Sequence, residues 1–116
     1  MESIKIPKYL PFVLNQLFEI ENKLRNIKEA NSIQRNIDKL KNYFETEAMQ
    51  DGQGLTFHNP IGEPYNETRS DCEANISGDS RENLQIIEVL KPIIYFKYGN
   101  TKTIVQRAVV IVESKK

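Results

Sequence analysis

Cysteine, histidine and tryptophan are nearly missing from this chain of 116 residues, which holds one Cys, one His and no Trp. A lone Cys72 closes no intrachain disulfide, and a lone His58 with no second Cys or His nearby makes no zinc-ligand set. No metal, no cofactor and a reducing compartment are therefore expected. An excess of one charge is missing too: 16 Lys+Arg meet 16 Asp+Glu, a net charge of 0. Nothing in that balance drives the displacement of counterions from nucleic acid or attraction to an anionic bilayer, so neither is an expected partner. Long hydrophobic runs are also lacking. Residues 1–14 mix Lys5, Pro7, Lys8 and Pro11 with apolar residues, unlike a signal peptide or a span of about 18 apolar residues. A cytoplasmic protein is the expectation, in which Asn66-Glu67-Thr68 and Asn75-Ile76-Ser77 are chance sequons. Gly52-x-Gly54, without a third glycine, a strand before it or a helix after it, cradles no phosphate.

Catalytic groups are equally scarce. Cys72 lies in Ser70-Asp71-Cys72-Glu73, with no adjacent cation to lower its pKa, and the single histidine leaves little choice of general base. Asp71 and Glu73 lie in a stretch too polar to desolvate them for acid catalysis. A binding protein is expected rather than an enzyme.

Residues 9–50 contain no glycine and a single proline, Pro11, placed where the first turn of a helix tolerates it. Leu10, Val13, Leu17, Ile20, Leu24 and Ile27 follow at alternating spacings of 3 and 4, one apolar seam along a helix. It continues through Ala30, Ile33, Ile37, Leu40 and Phe44, and the repeated spacing of 3 at 27, 30 and 33 marks a turn or kink near Asn31-Ser32. One unbroken helix would be about 63 Å long, so a helical hairpin is favoured. With 39% hydrophobic residues and a mean hydropathy of −0.54, so short a chain has little apolar surface to spare. Two such hairpins from two chains would make a dimeric four-helix bundle.

From Asp51 the pattern changes. Gly52, Gly54, Pro60, Gly62 and Pro64 end the helical region, and the remainder reads as β. Short strands are expected at 55–57 and about 74–77, with strong ones at 84–90 and 93–98. A Gly99-Asn100 turn leads into an antiparallel partner over 101–112, and Pro92 is expected at an edge or bulge. The expected fold is α+β: a helical dimerisation region at 1–53 and a small all-β domain at 54–116. Charge is segregated: residues 1–50 carry 8 basic and 7 acidic side chains, 51–90 carry 2 and 8, and 91–116 carry 6 and 1. The acidic and basic segments either neutralise each other in the fold or offer a basic docking strand.

Several segments resemble GrpE, the nucleotide exchange factor of DnaK-type chaperones. Tyr9-Leu10-Pro11-Phe12-Val13-Leu14-Asn15-Gln16-Leu17 is similar to the family's Leu-Leu-Pro-Val-Leu-Asp-Asn-Leu stretch, and Asn36-Ile37 to its Gly-Ile. Gly62-Glu63-Pro64-Tyr65-Asn66 resembles Gly-Glu-Pro-Phe-Asp, and Glu73-Ala74 the end of His-Glu-Ala. Ile87-x-Val89-Leu90 and Ala108-Val109-Val110-Ile111-Val112 resemble its closing strands. The resemblance runs from about residue 9 to 113. Departures are Gln106-Arg107 for Arg-Pro, Cys72 for the histidine, a missing Gly-Tyr with about four extra hairpin residues, and no long N-terminal stalk. It implies a helical dimerisation region, and the seam residues Leu10, Val13, Leu17, Ile20, Leu24, Ile27, Ile33, Ile37, Leu40 and Phe44 are the expected dimer contacts. It also implies contacts with a chaperone ATPase domain from Pro64, Tyr65, Leu90, Lys102, Gln106, Arg107 and Val112. The alternative is a dimeric adaptor of the same shape without exchange activity.

Overall fold

A computed structural model describes residues 6–115 except 26 and 28–30. Two helices, α1 (Tyr9–Leu24) and α2 (Asn31–Thr46), precede seven strands: β1 (Gln53–His58), β2 (Pro64–Tyr65), β3 (Cys72–Ser77), β4 (Leu84–Lys91), β5 (Ile93–Tyr98), β6 (Thr101–Gln106) and β7 (Ala108–Ser114). The α+β architecture and the helix-first order agree with the sequence reading.

The break in the helical region lies between Leu24 and Asn31, so Asn31-Ser32 opens α2; Ala30 of the expected seam is outside the described residues. Pro11 sits in the first turn of α1, where its missing N–H would have no helical partner in any case. The helices run side by side in opposite directions: Glu21 accepts hydrogen bonds from Gln34 Nε2 and Lys41 Nζ, both at 2.8 Å, while Phe44 clusters with Leu10, Leu14 and Leu17. α2 stops at Thr46 rather than continuing to residue 50. The Tyr43 carbonyl there accepts from both Glu47 N (2.8 Å) and Ala48 N (2.9 Å), which closes the last turn and lets the chain leave.

The strands from 84 to 114 form one long hairpin folded over in the middle. β5 pairs with β6 across the Gly99-Asn100 turn, and β4 pairs with β7, all antiparallel. Gly99 takes φ +61, as the first central residue of a II′ turn does. The expected single partner strand over 101–112 is two strands, because both arms bend at one level. Pro92, fully buried, separates β4 from β5, and Arg107 separates β6 from β7. Proline cannot donate to a ladder, so pairing changes there. The corner is tied by Gln106, whose Nε2 donates to the Pro92 carbonyl at 2.9 Å and whose side chain bonds Asn15 of α1 at 3.1 and 2.9 Å.

Folding the hairpin makes two sheets, ordered β1-β5-β6 and β2-β4-β7-β3. β3 begins at Cys72, earlier than expected, and runs parallel to β7; β2 is a two-residue strand that the sequence did not reveal. The three-stranded sheet is sandwiched at its bent end. Leu55, Ile94 and Phe96 face Leu10, Leu14, Leu17 and Phe44 of the helices, while Ile93 joins Cys72, Ile86, Val110 and Val112 on the inner face of the four-stranded sheet. Neighbouring Ile93 and Ile94, both fully buried, thus serve two cores, each contributing about 2–3 kcal/mol. Phe18 and Phe57 bridge them edge to face, 6.3 Å apart.

α2 covers the β1 edge so closely that a Cβ on Gly54 would stand 1.9 Å from the Glu45 carbonyl oxygen. Lys97 Nζ fastens the same place, 2.6 Å from Glu45 Oε2. Gly54→Ala should therefore destabilise the protein by about 3 kcal/mol. Gly78→Ala, at φ +88 with nothing within 4 Å, should cost about 1 kcal/mol. Urea unfolding of the two variants checks the difference.

Candidate functional site

The expected helical seam is divided between inside and outside. Leu10, Leu17, Ile37 and Phe44 are buried, Val13 and Leu24 half-buried, and Ile20, Ile27, Ile33 and Leu40 are 45–53% exposed. The buried face of α1 is Leu10, Leu14, Leu17 and Phe18, rotated from the seam by one residue. A helix lying on a sheet buries a wider stripe than the narrow a/d seam of a coiled coil, which is why Leu14 and Phe18 replace Ile20 and Leu24. What remains outside is an apolar strip that nothing among the described residues covers.

The β half holds a tightly pinned loop over 59–71. Asn59 Oδ1 accepts from Ile61 N (3.1 Å), Gly62 turns at φ +83, and backbone bonds join Gly62 N to Ile86 O and Ile86 N to Glu63 O, both 2.9 Å. Arg69 clamps the rest. Its Nε donates to Asp71 Oδ1 (2.6 Å), one terminal nitrogen to Glu63 Oε1 (2.7 Å), and the other to the Pro64 carbonyl (3.0 Å). His58 Nε2 meets the other Glu63 oxygen at 2.5 Å. Within the acidic stretch, Arg69 pairs with Glu63 and Asp71, and Arg107 with Glu73, 3.5 Å apart, is its bond to the basic segment among the described ion pairs.

The clamp sets the titration of its members. The Arg69 hydrogen bond holds Asp71 below its ordinary value. Burial works against ionised Glu63, but bonds from Arg69 and His58 outweigh it and its pKa also falls. Burial pushes the Cys72 thiol up to about 11, so it stays protonated at neutral pH, a poor nucleophile. No group of three or more His, Cys, Asp or Glu among the described residues could hold a metal, and no described helix is long and apolar enough to cross a membrane.

Pro64 is exposed at the tip of the pinned loop while Tyr65, the next residue, turns inward and packs against the core. Strand alternation forces this, because Tyr65 lies opposite buried Leu84. Tyr65, one of the expected contact residues, is half-buried and forms part of the wall of the core. Val112 is fully buried between β4 and β3, so it leaves that surface, as does Gln106, which is occupied at the corner. Lys102 lies on the other sheet, its Nζ 4.6 Å above the Tyr95 ring.

Leu90 and Arg107 lie at the same end of the four-stranded sheet, where Lys91 is level with Val109, while Pro64, opposite Gln85, is level with Glu113 at its other end. Two β-bulges in β4, between Ile86 and Glu88 and between Val89 and Lys91, replace alternation with paired exposed residues. The second leaves Leu90 47% exposed, and re-aiming a side chain is a common use of a bulge. Arg107 is held at the start of β7 by the Cys72 carbonyl at 2.8 Å. Between the two ends lie Val109 and Ile111, half-buried on the side of β7 away from Ala108, Val110 and Val112. Those two residues were missed as site candidates, although the unbroken apolar run 108–112 was the signal. A strand in a parallel pair is normally covered on both faces, and here the outer face is open.

Compared with family models, with curated proteins and with solved structures, the chain matches none.

Because the lowered carboxyl values raise stability at neutral pH, that contribution is complete above their ordinary range and lost as pH falls through the native values. Arg69→Gln should cost about 2 kcal/mol at pH 7. The loss should shrink toward pH 2, a convergence that urea titrations across pH would show.

Proposed function

We propose that this chain is a short GrpE-like nucleotide exchange factor, dimeric through its helices, which docks on the ATPase domain of a DnaK-type chaperone and promotes ADP release. The observation that carries the reading is the open outer face of β7, with Leu90 and Arg107 at one end and Pro64 level with the other, three of the positions at which the resemblance implies chaperone contact. Val109 and Ile111 supply apolar area at its centre and Arg107 with Glu73 a polar rim, the usual anatomy of a protein interface.

Such a factor does no covalent chemistry. It binds the nucleotide-free chaperone more tightly than the loaded one, and linkage then makes nucleotide binding expel it by the same ratio. The pinned 59–71 loop and the buried corner make the face rigid, so little ordering entropy is lost on docking. Exposed Ile20, Ile27, Ile33 and Leu40 support the helical dimer, as an apolar strip on two antiparallel helices is what a second hairpin would cover.

Stopped-flow release of a fluorescent ADP analogue from a DnaK-type chaperone of the same source tests the proposal. Acceleration is expected with the wild type, with a reduction of about a hundredfold or more in the Leu90→Asp/Arg107→Ala double variant. Absence of acceleration with every cognate chaperone would favour the adaptor instead. For the dimer, Ile20→Asp combined with Leu40→Asp should give a folded monomer in sedimentation velocity. A monomeric wild type would refute the assembly.

A further inference from the structure

The two edges of the three-stranded sheet are managed differently. β1 is sealed by α2, whereas β6 is exposed on both faces over 101–105 and nothing among the described residues pairs with its outer side. Thr101 lies opposite Tyr98 and Thr103 opposite Phe96, and a two-residue turn makes these the hydrogen-bonded pairs. The backbone N–H and C=O of Lys102 and Ile104 therefore point away from the sheet.

An unpaired edge is a template for another strand, and its surroundings specify the kind. On one side of β6, Lys102 and Ile104 stand beside Tyr95; Lys102 forms no ion pair among the described residues, in contrast to Lys97 with its Glu45. On the other side Gln106 is bonded to Asn15, and Phe12, one turn earlier on the same helix face, is 63% exposed. An added strand would lie with one row of side chains against Phe12 and the other against Lys102. Lys102 is the charged side chain of β6 and gives this edge its positive charge.

We infer that β6 is a docking site for an extended acidic segment of another protein, added to the sheet as a fourth strand with carboxylates facing Lys102 and apolar residues facing Phe12. Main-chain bonds would give the affinity and the alternating side chains the selectivity, as in other strand-addition complexes. This site is separate from the outer face of β7 and does not depend on exchange activity.

The test is fluorescence polarisation with a labelled seven-residue peptide alternating valine and aspartate, titrated with the full chain. Saturable binding is expected, weakened about tenfold by Lys102→Glu. Ile104→Pro should abolish it, since it removes an outward N–H without taking a ladder bond, while Ile104→Val should retain it. Circular dichroism and the thermal midpoint establish that the proline variant folds. Equal binding of a valine–lysine peptide, or undiminished binding by Ile104→Pro or Lys102→Glu, would overturn the proposal. A wild-type oligomer in sedimentation that Ile104→Pro dissolves would give the edge to a second copy and overturn it too.

Discussion

The corner at Pro92 and Gln106 is the constraint on which the rest of this structure depends. A hairpin of this length left straight would bury one face against the helices and leave most of its apolar residues in water. Bending both arms at one level turns one ribbon into two sheets, and lets Ile93 and Ile94 point into different cores. The bend has a chemical cause: Pro92 offers no N–H, and its carbonyl is taken by Gln106, which also ties the corner to Asn15. Loss of the Gln106 amide would leave the Pro92 carbonyl without this partner and remove the hydrogen bonds from the corner to Asn15 of α1.

From that bend the exposed surfaces follow. β7 becomes central in the second sheet, with β4 on one side and β3 parallel on the other, so its apolar run needs cover on two faces and receives it on one. β6 becomes an edge, because β3, which flanks the outer side of β7, begins at Cys72 opposite Ala108 and does not extend along β6. The helices, drawn onto the first sheet, commit half of their seam to that contact and keep half outside. On these outward sides Ile20, Leu40, Leu90, Ile104 and Val105 stay exposed.

Much of this could be read in the residues. The glycine-free region and its 3 and 4 spacing marked two helices, and Gly99-Asn100 between two apolar runs marked the hairpin. The corner was not legible, because Pro92 signals that a ladder stops without saying where the next begins, and nothing around Arg107 breaks a strand by itself. The seam was read one residue off on α1, since spacings of 3 and 4 fit both Leu10-Val13-Leu17 and Leu10-Leu14-Leu17 until a sheet chooses. Pro64, Leu90 and Arg107 were named through the resemblance alone, and the structure leaves all three exposed. Tyr65 and Val112 were not separable from them, because whether a strand residue faces in or out depends on the pairing partner, here Leu84 for Tyr65.

The central claim is that the outer face of β7 is the surface a chaperone covers. Attenuation of methyl signals by a soluble paramagnetic chelate tests it most directly, measured on Leu90, Val109 and Ile111 with and without a nucleotide-free DnaK-type chaperone. The account predicts that these methyls are attenuated in the free protein, become shielded in the complex and reappear when nucleotide is added, with buried Val110 and Val112 silent throughout. Methyls of Leu90 and Ile111 that remain as accessible with the chaperone as without it would contradict the account.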